Sequence, residues 1–397
     1  MKNFSLLLPL CITFLLLSCA RKPAGDLPVI NLTETYPKKD IILQEIANVT
    51  YISLNGKDAP LIGRPFLGYV SQEFMILYDF FTGDVFVLEK DGTIRNHFNH
   101  KGNSGKEYGR ISHLTYDPKK MEIYILDAVG PNGILVYSES GHFLRSFPEL
   151  SRQSIQEIYD FDNHSLLAYC MPSRFDPENP NHTNPYLFLS KEDGKIESRL
   201  RFQFLDRITS RKSIPTEEGV LSIMITGENC VKYGNDFIFA DISSDTLFSL
   251  SKDHILKPLL VRTPLVHDQD VPVVWSVGFK TDSFILIHSS EYDFKSMKKA
   301  VLNNQPIPES KSAVYLYYVK SNIIVTPNFV NRDWPSKRAH LSMRNVSMDE
   351  KNMSVDIIQA EKLTEALEKG ELQGELKEVA LSLASDDNPI VMVVRFK

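Results

Sequence analysis

One stretch of this chain is written twice, and the repeat limits what the chain can fold into. Phe74 to Phe98 reads FMILYDFFTGDVFVLEKDGTIRNHF, and Met121 to Phe147 reads MEIYILDAVGPNGILVYSESGHFLRSF. Each copy opens with an apolar strand ending in an aspartate, Asp79 or Asp127. A short polar link leads to a second apolar strand, Val85 to Leu88 or Ile134 to Tyr137. A turn through Gly92 or Gly141 then opens a third strand at Ile94 or Phe143. A period of about 50 residues filled by consecutive short strands is the signature of propeller blades.

Three looser copies follow. Ser165 to Cys170 and Tyr186 to Leu189 flank an insertion from Pro172 to Pro185. Asp236 to Asp241 and Thr246 to Leu250 form the next copy, and Ser283 to His288 and Ala313 to Val319 flank another polar insertion. Val29 to Leu32 reads as a short strand, Tyr36 to Lys39 as a turn, and Ile41 to Asn48 as a lead-in. Val49 to Leu54 alternates at period two with no partner nearby, and Ile390 to Phe396 (IVMVVRF) is a strong terminal strand. The two fit together if the last blade is built from both ends of the chain, which removes open sheet edges. Before the terminal strand, Leu363, Leu367, Leu372, Leu376, Val379 and Leu383 keep helical spacing broken at Gly370 and Gly374, which predicts two short helices. The expected fold is all-β: a six-bladed β-propeller over 41–397, since blades of about 50–60 residues fill that span six times.

The first residues point to a compartment. Lys2 precedes an apolar run, Phe4 to Leu17, that is shorter than the ~20 residues a spanning helix needs. It ends in Leu16-Leu17-Ser18-Cys19, which resembles the lipobox of bacterial lipoproteins. The resemblance implies a signal peptide over 1–18, acylation of Cys19, and a lipidated tether and lead-in over 19–40. One acyl chain holds a membrane only marginally, whereas several anchor a protein firmly. Residues 20–25 carry no acidic run, and in the lipoproteins of gut Bacteroidetes such a run tends to mark surface export. The expected location is therefore the cell envelope, on the outer membrane and facing the periplasm.

The wider chain resembles the six-bladed β-propeller lipoproteins of Bacteroidetes with NHL-like blades. The likeness rests on Tyr36-Pro37-Lys38-Lys39, on HFNHKGNSGKEY (97–108) and on the C-terminal ALEKGELQGELKEVALSLASDDNPIVMVVRFK. It implies a fold and a compartment, and it carries no catalytic motif.

The residues themselves offer little chemistry. Net charge is −6 with no block of basic residues, which argues against nucleic acid as a partner. The loop from Asn99 to Ile111 has neither the dinucleotide nor the phosphate-loop glycine spacing, and HExxH and GxSxG are absent. The ten histidines are scattered, and Cys170 and Cys230 read as buried thiols. Asp79, Asp127 and Asp241 recur at equivalent positions. They would ring the axis in a metal-dependent hydrolase, lyase or lactonase using calcium, or else cap their strands in Asx turns. For ligand contacts the candidates are Arg64, Lys106, Glu107, Tyr108, Arg110 and the loop residue Trp334, because exposed Arg, Tyr and Trp anchor recognition surfaces. Trp275 reads as a buried strand residue. The expectation is a non-catalytic binding or scaffold domain without a cofactor. It would hold a glycan, peptide or protein and be tied to the bilayer through Cys19; the alternative is the axial metal enzyme.

Overall fold

The computed structural model describes residues 27–54, 60–127, 129–171, 176–200, 202, 204, 206–209, 211–216, 219–224, 229–339, 341, 347–348 and 350–397. Cys19 and its lipobox lie outside the described residues, as does part of the Pro172 to Pro185 insertion.

All six residues of Phe74–Asp79 are buried, as are all six of Ser165–Cys170. Strands covered on both faces need continuous apolar runs rather than alternation. In a propeller each blade is sandwiched between two others, so its middle strands meet that condition. Blade 1 is Pro65–Val70, Phe74–Asp79, Asp84–Glu89 and Ile94–Asn99, each antiparallel to the next. Blades 2 and 3 repeat the meander from Ile111–Asp117 to Phe143–Phe147 and from Ile155–Asp160 to Ile196–Arg199. Blade 4 runs from Cys230–Tyr233 to Leu256–Thr263, and blade 5 from Val273–Lys280 to Ile323–Asn331. Blade 6 combines Met353–Ile358, Ile390–Phe396 and the N-terminal strand Ala47–Ser53. Ser347–Met348 lies parallel to the first strand of blade 1.

Closure is as the two ends of the sequence predict. Ile390 pairs with Ser53 and Phe396 with Ala47 in unbroken antiparallel register. The helices expected before the last strand are Ala360–Glu368 and Gly374–Leu381, with Leu363 and Leu376 fully buried.

The N-terminal segment departs from expectation. Lys38–Ile42 is a strand, not a turn and lead-in, and runs parallel to Ile323–Asn331 with Lys38 opposite Thr326. Val29–Asn31 runs parallel to Leu256–Thr263. Residues placed in the tether and lead-in, among them the expected strand at Val29, thus form the outermost strands of blades 4 and 5 before the chain enters blade 6. Lys38, Lys39 and Asp40 are all exposed, and a rim strand with one wet face is polar enough to resemble a turn.

Strand direction alternates within a blade, so each blade's second-to-third turn shares one end of the propeller with the crossover to the next blade. The long insertions gather at that end. They are 171–185 in blade 3, 200–229 between blades 3 and 4, and 292–311 in blade 5. The second carries the hairpin Arg211–Thr216 and Gly219–Met224, and the third carries the helix Phe294–Leu302.

Candidate functional site

The antiparallel register of blade 5 brings the start of its first strand, the end of its second and the start of its third to one level. Val273 faces Glu291, and Ser290 faces Ser312. The insertion after Glu291 then folds over this level, because Asp293 caps the helix Phe294–Leu302 by accepting from the Ser296 amide at 3.0 Å. The helix buries Met297 and Ala300 and packs against the hairpin strand Arg211–Thr216. A pocket of about 320 Å³ results, at the small end of ligand sites. Ile242, Val274, Trp275, Met297 and Val314 give it an apolar wall, and Ser276, Ser289, Ser290, Ser310 and Ser312 give it hydroxyls. His288, Glu291 and Tyr292 complete the lining together with Ile223 of the hairpin and Ala313.

Two polar groups here are distinctive. The Glu291 carboxylate is held by the Lys311 ammonium at 3.3 Å. The buried Tyr292 hydroxyl has no hydrogen-bond partner among the described residues, and burial alone pushes its pKa up to about 12. Trp275 is spoken for, since its indole N–H donates to the Ser244 carbonyl at 2.8 Å. Nothing in the sequence marks this pocket as a unit: its walls come from two separate insertions, the short link of blade 4 that carries Ile242, and one strand level.

The residues singled out from the sequence lie elsewhere. Tyr108 is fully buried, donates to the Gly83 carbonyl at 2.6 Å and accepts from the His100 amide at 2.9 Å. It ties the crossover loop to blade 1 and offers no surface to a ligand. Trp334 is not in a loop: it begins the strand Trp334–Arg338, is 7% exposed, and donates to Glu371 at 3.2 Å with the Lys337 ammonium over its ring. Glu107 accepts from the Ser104 amide at 2.9 Å, which holds its carboxyl below the usual range. Arg64, Lys106 and Arg110 are exposed. Arg110 sits over Phe80, next to the exposed Phe66 and Phe81, so these residues do share a surface at the insertion-bearing end of blades 1 and 2.

The recurring aspartates are strand caps. Asp79 accepts from the amides of Phe81 and Thr82 at 2.7 and 2.8 Å, and Asp127 from those of Gly109 and Arg110 at 3.1 and 3.2 Å. Asp241 accepts from the Ser243 amide at 2.8 Å and also meets the buried Arg207 guanidinium at 3.0 Å. Among the described residues no three His, Cys, Asp or Glu side chains are grouped to hold a metal ion. Cys170 and Cys230 are buried and unpaired, and burial raises both thiol pKa values, that of Cys170 to about 12.

A buried ionic band joins blades 2, 3 and 4. The Lys191 ammonium lies between Asp117, at 2.6 Å, and Asp160, and also donates to the Asp162 carbonyl. Lys232 stands 3.8 Å from the other oxygen of Asp160. Burial would raise both carboxyls. At Asp117 burial is the largest single influence, but the bond and charge of Lys191 with the Lys119 and Lys120 amides together outweigh it and the pKa falls, whereas at Asp160 burial wins over both lysines and the pKa rises. Beside this band His113 is fully buried, and burial pushes its imidazole down to about 4 against the small opposing pull of the Ile158 main chain. These groups hold blades together rather than face solvent.

The fold and its inserted end define a six-bladed β-propeller with a side pocket. The chain belongs to the family described as domain of unknown function DUF4934, which matches residues 27–395. No curated protein matches it. Among solved structures it is similar to a protein from Bacteroides fragilis NCTC 9343 described as exported, at 14% identity and TM-score 0.64, covering 93% of this chain and 99% of that one. A member of the duf4221 family from Bacteroides vulgatus is 8% identical with TM-score 0.45, covering 89% and 97%. Virginiamycin B lyase from Staphylococcus aureus is 10% identical with TM-score 0.39, covering 87% and 99%. The first likeness concerns the fold alone, and the other two are too distant to bear on chemistry. Among the described residues no helix is long and apolar enough to cross a membrane.

Proposed function

We propose that this protein is a non-catalytic binding module of the cell envelope, anchored to the outer membrane through an acylated Cys19 and facing the periplasm. The observation that carries the binding role is the blade 5 pocket, walled by insertions that a bare propeller does not need and lined by dispersed hydroxyls over an apolar wall. Support for the anchor is the lipobox at Leu16 to Cys19, and support for export is the likeness in fold to a protein described as exported. Arg64, Lys106 and Arg110, at the same end of the propeller, are the contacts this reading gives to a macromolecular partner.

The anchor and the binding role have separate tests. Cys19→Ala is expected to move the protein from the membrane fraction to the soluble fraction, and retention in the membrane overturns the anchor. Binding is read by the melting temperature of the full-length protein against uncharged sugars, sugar acids, amino acids, short peptides and divalent cations. A ligand at 100 times its Kd adds about 2.7 kcal/mol. At least one class is expected to raise the melting temperature in the parent protein and not in Ser289→Leu, which fills the pocket. No such class means that the pocket is not a binding site.

A further inference from the structure

We infer that the blade 5 pocket takes a small uncharged polyhydroxyl ligand, a single sugar ring; this deepens the binding role and rests on it. Charge decides against most alternatives. Among the described residues no lysine or arginine lines the pocket, and the carboxylate that does, Glu291, is paired with Lys311 at 3.3 Å. A phosphate, sugar acid or amino-acid carboxylate would meet the Glu291 carboxylate there with no lysine or arginine in the described lining to hold it, which is unfavourable. An aliphatic ligand fails for the opposite reason, because it would cover the Ser276 and Ser289 hydroxyls and leave them without partners.

The remaining chemistry is a ring that carries hydroxyls around its edge and C–H groups on its faces. The Ser276 and Ser289 hydroxyls have no hydrogen-bond partner among the described residues, and the Tyr292 hydroxyl is buried and unpaired at the same pocket. Ile242, Val274, Trp275 and Met297 supply the apolar wall for the C–H face. A volume of about 320 Å³ suits one ring rather than a chain.

The test is calorimetric titration of the full-length protein with neutral hexoses and N-acetylhexosamines, each paired with a charged counterpart of the same ring (glucose with glucuronate and glucose 6-phosphate). At least one neutral sugar is expected to bind, its charged counterpart about 10-fold or more weaker. Ser289→Leu is expected to abolish that binding with the melting temperature of the free protein unchanged. Tyr292→Phe removes only the orphaned oxygen, so it should weaken sugar binding about 10-fold while leaving the free protein as stable or more so. Equal or tighter binding of the charged counterpart, or sugar binding that survives Ser289→Leu, overturns the inference. So does a peptide or amino acid whose effect Ser289→Leu blocks while every neutral sugar is silent, an outcome that keeps the binding role. Silence from every class overturns both.

Discussion

His113 sits in the first strand of blade 2 with Tyr159 of blade 3 edge-on to its ring at 5.2 Å, and neither ring nitrogen meets a hydrogen-bond partner among the described residues. A histidine buried this way must stay neutral to remain inside. Its pKa is near 4 in the folded protein and 6.5 in an unstructured chain, so between those values the unfolded chain binds the extra proton. Stability is therefore present above pH 6.5 and is lost progressively as pH falls toward 4, by about 3 kcal/mol in all. Asp160, its carboxyl raised chiefly by burial, acts in the opposite direction, and the partly exposed His182, also depressed by burial, adds in the same direction as His113. The expected outcome is a melting temperature that declines from pH 6.5 to pH 4 in the parent protein and far less in His113→Leu. Denaturation across that range checks it, and an equal decline in the variant means that other groups set the acid limit. The sequence shows a histidine in an apolar strand. It does not show that the neighbouring blade offers the ring only the weak pull of the Ile158 main chain, because that depends on how two strands more than forty positions apart are packed.

The turns between third and fourth strands work at the scale of elements. Gly92 and Gly141 have φ of +89° and +81°, a conformation that side chains resist. A Cβ on Gly141 would stand 2.6 Å from the ring of Phe98 in blade 1, and one on Gly92 would stand 2.2 Å from the carbonyl of Ser53 in blade 6. Each turn is therefore pressed against the last strand of the preceding blade, and the glycine sets how closely two blades approach. Gly141→Ala is expected to cost about 1–3 kcal/mol in chemical denaturation, while Gly105→Ala, with nothing within 4 Å of the added carbon, serves as the neutral control. Here the sequence was informative: the recurring Asp and Gly mark positions where backbone geometry needs those residues, so the repeat was readable where it was strict. Reading failed where side chains were asked to report exposure. Tyr108 and Trp334 looked like surface anchors because they stand among polar neighbours. Those neighbours face water while the rings turn inward to Gly83 and Glu371. The pocket was illegible for a related reason, since Ile223, Ile242 and Met297 meet only once two insertions and a blade 4 link have folded over one end of the ring.

At the scale of the whole molecule, the N-terminal segment runs along three consecutive blades. It adds an outer strand to blade 4, then to blade 5, and completes blade 6. A chain that begins at residue 54 leaves the edge of Ile390–Phe396 unpaired, and five of those seven residues, Ile390 to Val394, are fully apolar. Such an edge is a template for association. The shortened protein is expected to aggregate in light scattering, whereas one beginning at residue 47 keeps the closing strand and should stay monomeric with a lower melting temperature. Aggregation of both, or of neither, contradicts the assignment of closure to Ala47–Ser53. The same arrangement has a consequence in time. Val29, Lys38 and Ala47 are synthesised long before their partners Val261, Thr326 and Phe396, which emerge in that order. Contacts this distant along the chain form slowly, so these three early strands are the latest to settle. The ring acts as its own clock: until the final strand arrives, every growing chain is an open arc.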